Sequence, residues 1–152
     1  MIANTKIKIG IISFVSLLIL SGITAFPVQS EINFLHEIKE LFPLFMQKWI
    51  LELHQVISET PEIIFYGTDW LAFAHIIIAL FFIPVYKNPI AYQMNLKIAM
   101  LACLAVFPLA FICGPIRGIP FFHQLIDCSF GIIGFLFLLY INKQINFLKH
   151  EQ

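Results

Sequence analysis

Charge is what this sequence has least of. Lys, Arg, Asp and Glu make up 12% of its 152 residues, while hydrophobic residues make up 60%. A soluble domain carries about a quarter charged residues, so this composition excludes an ordinary water-soluble globule and leaves the lipid bilayer as the solvent. Formal net charge is zero, which removes any global electrostatic case for nucleic acid or for a strongly charged partner. Cysteine is scarce as well. Cys103, Cys113 and Cys128 form no CxxC pair, so zinc-ribbon and thioredoxin-type motifs are excluded and buried inert thiols are expected. A Cys113–Cys128 disulfide is not expected, because Cys128 falls about two helical turns deeper than Cys113. GxSxG, HExxH and P-loop patterns are missing, and Ser129 has no recognisable catalytic partner; acyl-transfer, zinc-protease and P-loop chemistries therefore have no sequence support.

What is present is a set of long apolar runs. A bilayer-spanning helix needs about 20 mainly apolar residues, and four segments qualify: approximately 7–27, 69–86, 96–113 and 120–141. The first follows Lys6 and Lys8 and ends at Pro27. It is longer than a signal-peptide core of about 7 to 15 residues, and Ile23-Thr24-Ala25 is a poor cleavage site, so an uncleaved helix is expected. Thr68 is read as the N-cap of the second span, with Asp69 at the positive end of its dipole. Asn95 is read as the cap of the third span, which a kink at Pro108 and an end at Gly114-Pro115 would shape. Pro120 is suited to the first position of the fourth.

Between the first two spans, residues 30–60 change character. Phe42, Met46, Trp49, Ile50, Leu53 and Ile57 form a helical stripe, with Ile32, Leu35 and Ile38 forming a shorter one before Pro43. Lys48, Glu52 and Glu59 lie opposite. Two amphipathic helices broken near Pro43 are predicted, capping the bundle. With the N-terminus in the cytoplasm, Lys6, Lys8, Lys87, Lys97, Lys143 and Lys149 lie inside, and Lys39, Lys48 and Arg117 outside. The positive-inside rule then puts both termini in the cytoplasm and residues 30–60 outside. The expected fold is a single all-α membrane domain: a four-transmembrane-helix bundle with an amphipathic helical extracytoplasmic segment between the first and second spans.

Two ionisable groups fall within the spans, His75 and Asp127. An acid at the bilayer centre costs about 2.5–3.5 kcal/mol on insertion scales, so compensation is expected. Each lies about 10 Å along its helix from the outer start. His123 and Asp127 share a helix face that continues through Gly131 and Gly134, whose small size allows close helix approach. Arg117 sits among two glycines and two prolines in Gly114-Pro115-Ile116-Arg117-Gly118-Ile119-Pro120. Two readings follow. In the first, Arg117 and Asp127 form a structural ion pair, with His75 bonded to Asp127 or to a backbone carbonyl. In the second, Asp69, His75, Arg117, His123 and Asp127 form an outward-facing polar pocket for a lipid headgroup, a quinone or a cation. His75 and His123 are the residues that would ligate a haem, though one histidine pair has little specificity, and no spacing demands a metal. His36, His54 and His150 are read as solvated.

The segments from Phe65 to His75, from Gly114 to Pro120 and from Leu125 to Gly131 resemble small bacterial membrane proteins of unknown function, over most of the chain. The resemblance implies an inner-membrane protein and transfers no catalytic residue. The chain departs from the CxxC pattern of DsbB-like and vitamin K epoxide reductase-like four-helix proteins, which argues against a thiol oxidoreductase. The expected function is that of a non-enzymatic accessory or interaction subunit, embedded in the bilayer and free to form homo- or hetero-oligomers. A redox or lipid-processing protein using the pocket is the alternative, and a small oligomeric transporter is a third class.

Overall fold

The computed structural model describes residues 2–150, all of whose regular elements are helical. In chain order these are α1 (Ile2–Thr24), α2 (Val28–Glu37), a 3₁₀ turn (Lys39–Leu41), α3 (Leu44–Glu59), α4 (Glu62–Leu80), α5 (Ile83–Lys87), α6 (Gln93–Ile116) and α7 (Phe121–His150). Four helical stretches are long and apolar enough to cross a membrane: Asn4–Thr24, Glu62–Lys87, Gln93–Ile116 and Phe121–His150. The chain divides into two compact units, Met1–Leu18 with Ile78–Gln152, and Ile19–Ile77.

The first unit is built on the α6–α7 hairpin. The buried α7 residues Gln124, Gly131, Leu138 and Ile145 recur every seven positions, with Cys128 and Ile141 between them. That repeat is the seam of helices packed at a shallow angle. Ile7 and Ile11 of α1, Phe82, Val85 and Leu96 complete the core around Leu138, Ile141 and Ile145. Phe14 packs on Phe82 and Phe137, with ring centroids 5.1 and 6.3 Å away. Two glycines set the α6–α7 spacing. A Cβ on Gly131 would stand 2.7 Å from the Cys103 carbonyl oxygen, and one on Gly134 would stand 3.0 Å from the Cys103 Sγ.

In the second unit α2 packs on α3. Ile50 is buried, and the other predicted stripe residues on both helices are half-buried, whereas Lys48, Glu52 and Glu59 are exposed. The amphipathic period therefore located the packed faces correctly. At Gly22 of α1 a Cβ would meet the Ala72 carbonyl oxygen of α4 at 2.7 Å.

Several sequence-based boundaries are revised. The second long helix does not open at Thr68 but at Glu62, behind Pro61, whose carbonyl accepts from the Ile64 N–H. Pro61 starts the turn and Glu62 meets the helix dipole, so Thr68 is already interior. Its hydroxyl donates to the Phe65 carbonyl at 2.7 Å. This helix then breaks after Leu80 and resumes as α5, where Pro84 cannot donate to the preceding turn. Asn95 caps nothing. Its amide donates to the Phe81 carbonyl at that break, 3.2 Å away. Pro108 and Pro115 both lie within α6, which continues to Ile116 because each proline removes only one intrahelical hydrogen bond. The last helix runs nine residues past the expected end, to His150.

Candidate functional site

The turn joining α6 to α7 is specified by its sequence. Gly118 has φ +70°, in the left-handed region. Its N–H donates to the Pro115 carbonyl at 3.2 Å, and the Ile119 N–H donates to the Gly114 carbonyl at 2.9 Å. These two bonds are the Schellman termination, which needs a residue free of a Cβ penalty where Gly118 stands, and Pro120 then prevents continuation. Arg117 is thereby held as the last residue before the reversal.

Gln124, one turn into α7, is buried and donates from Nε2 to the Ile119 carbonyl at 2.7 Å. Its side chain lies on Gly114, where an added Cβ would be 2.6 Å from the Gln124 Cδ. Glycine at 114 is thus required for this glutamine to brace the turn. Between the two helices is an open groove of about 270 Å³. Val106, Leu109, Ala110, Arg117, Gln124 and Asp127 are among the residues that line it, and its surface is mainly apolar.

Arg117 and Asp127 line this groove together, yet no ion pair joins them among the described residues. Asp127 instead faces His123, with Oδ1 3.9 Å from Nε2. Asp127 is half-exposed and Arg117 is exposed. The helix face expected to point inward is split. Gly131 is buried against α6, whereas His123 and Asp127 lie beside the seam that Gln124 and Cys128 occupy. Asp69 and His75 belong to the second unit. There the Nδ1 of His75 lies 2.9 Å from the Leu71 carbonyl, so the proton of that bond sits on Nδ1. Cys103, Cys113 and Cys128 are all free thiols.

A second polar group was not anticipated from the sequence. Gln93, at the start of α6, is buried and donates from Nε2 to Asn142 Oδ1 at 2.8 Å and to Asn146 Oδ1 at 2.7 Å. Lys149 donates to its Oε1. Both amide protons and the oxygen of Gln93 are used, so its burial leaves nothing unsatisfied. The signal was available in Asn142, Asn146 and Lys149, spaced i, i+4, i+7 on one helix face beyond Tyr140. His36 and His54 of the α2–α3 pair also prove to be partners rather than separately solvated rings, stacked with centroids 4.0 Å apart and planes 17° apart. Partial desolvation, then the neighbouring His54 and Lys39, lower the pKa of His36 below the ordinary histidine value.

No protein-family model, no curated protein and no solved structure matches this chain.

Proposed function

We propose that this chain is a four-span protein of a bacterial inner membrane, with both termini cytoplasmic and α2 and α3 on the outer side. In this reading it works without catalysis, as an accessory or interaction subunit whose binding site is the α6–α7 groove. The observation that supports a binding role is that Arg117 and Asp127 line the same groove while Asp127 faces His123 rather than Arg117. Opposite charges kept only to fasten a hairpin gain most by direct contact, because each otherwise carries its own desolvation cost. The lysine distribution supports the orientation, and the exposed apolar side chains of α6, among them Ile98, Leu101 and Ile112, suit lipid or a neighbouring span.

Native mass spectrometry after extraction in mild detergent tests the binding role. A small molecule or second subunit should be retained by the wild type and lost in Arg117→Gln at unchanged thermal stability. Identical spectra from the two proteins would sink the proposal. Orientation is tested by adding a membrane-impermeant maleimide to intact cells expressing a chain whose own cysteines are replaced by alanine. Glu52→Cys should label and Lys143→Cys should not; the opposite pattern inverts the topology.

A further inference from the structure

We infer that the open groove between α1 and α5 seats one acyl chain of an anionic phospholipid, with the lipid phosphate held at the Lys8–Tyr86 end. The site depends on the long helices lying in a bilayer and not on the α6–α7 groove. It falls wholly within the first unit, where Ile12, Val15 and Ser16 of α1 line it on one side and Phe82, Ile83 and Tyr86 on the other. Lys8 precedes those α1 residues by four, seven and eight positions, so it shares their helix face. Its Nζ lies 5.4 Å from the centroid of the Tyr86 ring. A cation over an aromatic face is positioned without being neutralised. The groove is therefore an apolar run with an ammonium placed at one end. From Lys8 to Ser16 is about 12 Å of helix, which fits within one leaflet of a hydrocarbon core about 30 Å thick. Its volume of about 170 Å³ is well below the roughly 300–1,000 Å³ that encloses a drug-sized ligand, so a length of one chain fits where a complete molecule does not.

The charge around this end selects the lipid. Ile7, Val85, Leu96, Ile141 and Ile145 share one core, and Lys6, Lys8, Lys87, Lys97 and Lys143 each stand within two residues of one of them. The core thus gathers five lysines where α1 and α6 begin and α5 ends. Lys6, Lys87, Lys97 and Lys143 are exposed. Of the nine acidic residues, only Asp127 and Glu151 belong to this unit, and Asp127 is near the start of α7, at the other end of the hairpin. Anionic headgroups supply the missing counter-charge, as they do for clusters of roughly four to eight basic residues beside a span. The Tyr86 hydroxyl adds a donor for a phosphate oxygen. A zwitterionic lipid would bring a further cation to the lysines. A second copy packed side by side would set its own lysines at the same level, like charge against like.

The test is photolabelling of the full chain in phosphatidylcholine nanodiscs with a lysophosphatidylglycerol that carries a diazirine in its single acyl chain, the labelled positions being mapped by mass spectrometry. Labels should concentrate in residues 11–16 and 79–86. Phosphatidylglycerol should compete at least tenfold more effectively than phosphatidylethanolamine, and glycerol 3-phosphate, which has the phosphate but no chain, should not compete. Lys8→Gln should reduce that preference at least fivefold, while Lys48→Gln, an exposed lysine of the second unit, should leave it intact. Mapping and competition use only the wild type, so they hold even if a variant misfolds. Labels spread evenly over the exposed face of α6 overturn the inference, as does equal competition by phosphatidylethanolamine or full competition by glycerol 3-phosphate. A preference unchanged in folded Lys8→Gln also overturns it. So does labelling that vanishes from residues 11–16 and 79–86 when the chain dimerises, which would make the groove an interface between copies.

Discussion

Replacing Gly131 by alanine tests whether α6 and α7 are held by direct backbone approach. The new Cβ would lie 2.7 Å from the Cys103 carbonyl oxygen and 3.4 Å from the Val106 Cβ. Ordinary contact with that oxygen requires α7 to retreat by about 0.7 Å, and a gap of about 0.5–1 Å forfeits a quarter to a half of each dispersion contact along the seam. In a bilayer, packing of this kind is a main attraction between helices, because lipid tails are as apolar as the side chains. Overpacking costs about 1–3 kcal/mol. Since the obstacle is backbone, the expected loss is in the upper half of that range. Gly134→Ala is the control. Its Cβ would meet the Cys103 Sγ at 3.0 Å, and a thiol can rotate, so the cost should stay near the bottom of the range, about 1 kcal/mol. Adding Cys103→Ala should rescue Gly134→Ala but not Gly131→Ala, because the carbonyl remains. Reversible unfolding by dodecyl sulfate in mixed micelles, followed by circular dichroism, measures all of these. A Gly131→Ala protein within about 0.5 kcal/mol of wild type, or equal rescue of both alanines by Cys103→Ala, refutes the reasoning.

Three further outcomes are expected. Gln93→Leu removes three hydrogen bonds between α6 and α7 and should cost about 0.6–2 kcal/mol in the same unfolding assay, the span seen for polar contacts between membrane helices; an unchanged midpoint counts against the network. Gly118→Ala forces a Cβ into the left-handed region and should cost about 1–2 kcal/mol, with Gly118→Asn milder, so equal losses would argue against a conformational origin. The lowered pKa of His36 makes the folded α2–α3 pair bind fewer protons than the unfolded one. Its stabilising contribution is therefore present above the unfolded value of 6.5 and is lost as pH falls through the lower folded value. Trp49 fluorescence should report loosening of α3 on acidification, and His36→Gln should flatten the response; a pH dependence that survives this substitution would assign it elsewhere.

Where sequence reasoning succeeded, it used a local property. Phe42, Met46, Trp49, Ile50, Leu53 and Ile57 were legible as a packed stripe because the helical period places them on one side whatever lies against them. The loop between the third and fourth spans was legible because glycine and proline crowd into residues 114–120, but the helix end was placed at Gly114-Pro115, whereas α6 runs to Ile116 and Gly118 makes the reversal. Thr68 and Asp69 misled because they are residue types that cap helices, yet a hydroxyl caps only where the preceding turn is not already helical. Pro61 and Glu62 had begun the helix two turns earlier. The break before α5 was missed for a related reason: Pro84 was masked by the apolar residues on both sides of it.

The candidate site divides in the same way. His75, Arg117 and Asp127 were conspicuous because charge or polarity in or beside an apolar run is costly. Their relations were not conspicuous. Whether Arg117 pairs with Asp127 depends on side-chain placement across the turn, and Asp127 faces His123 instead.

The sequence by itself determined that the chain has four segments able to cross a membrane, because transfer into lipid depends on the sum of local hydropathies. It also determined where the amphipathic faces lie and where the last hairpin turns. Only the tertiary structure decided which polar groups meet. Gln93 is 49 residues from Asn142 and 56 from Lys149, and it becomes a satisfied buried amide only when α6 and α7 fold back on each other. The groove lined by Arg117 and Asp127 arises from the same antiparallel packing. Composition constrains the solvent each segment requires, but the partner of a polar side chain is set by distances between helices, which no single helix contains.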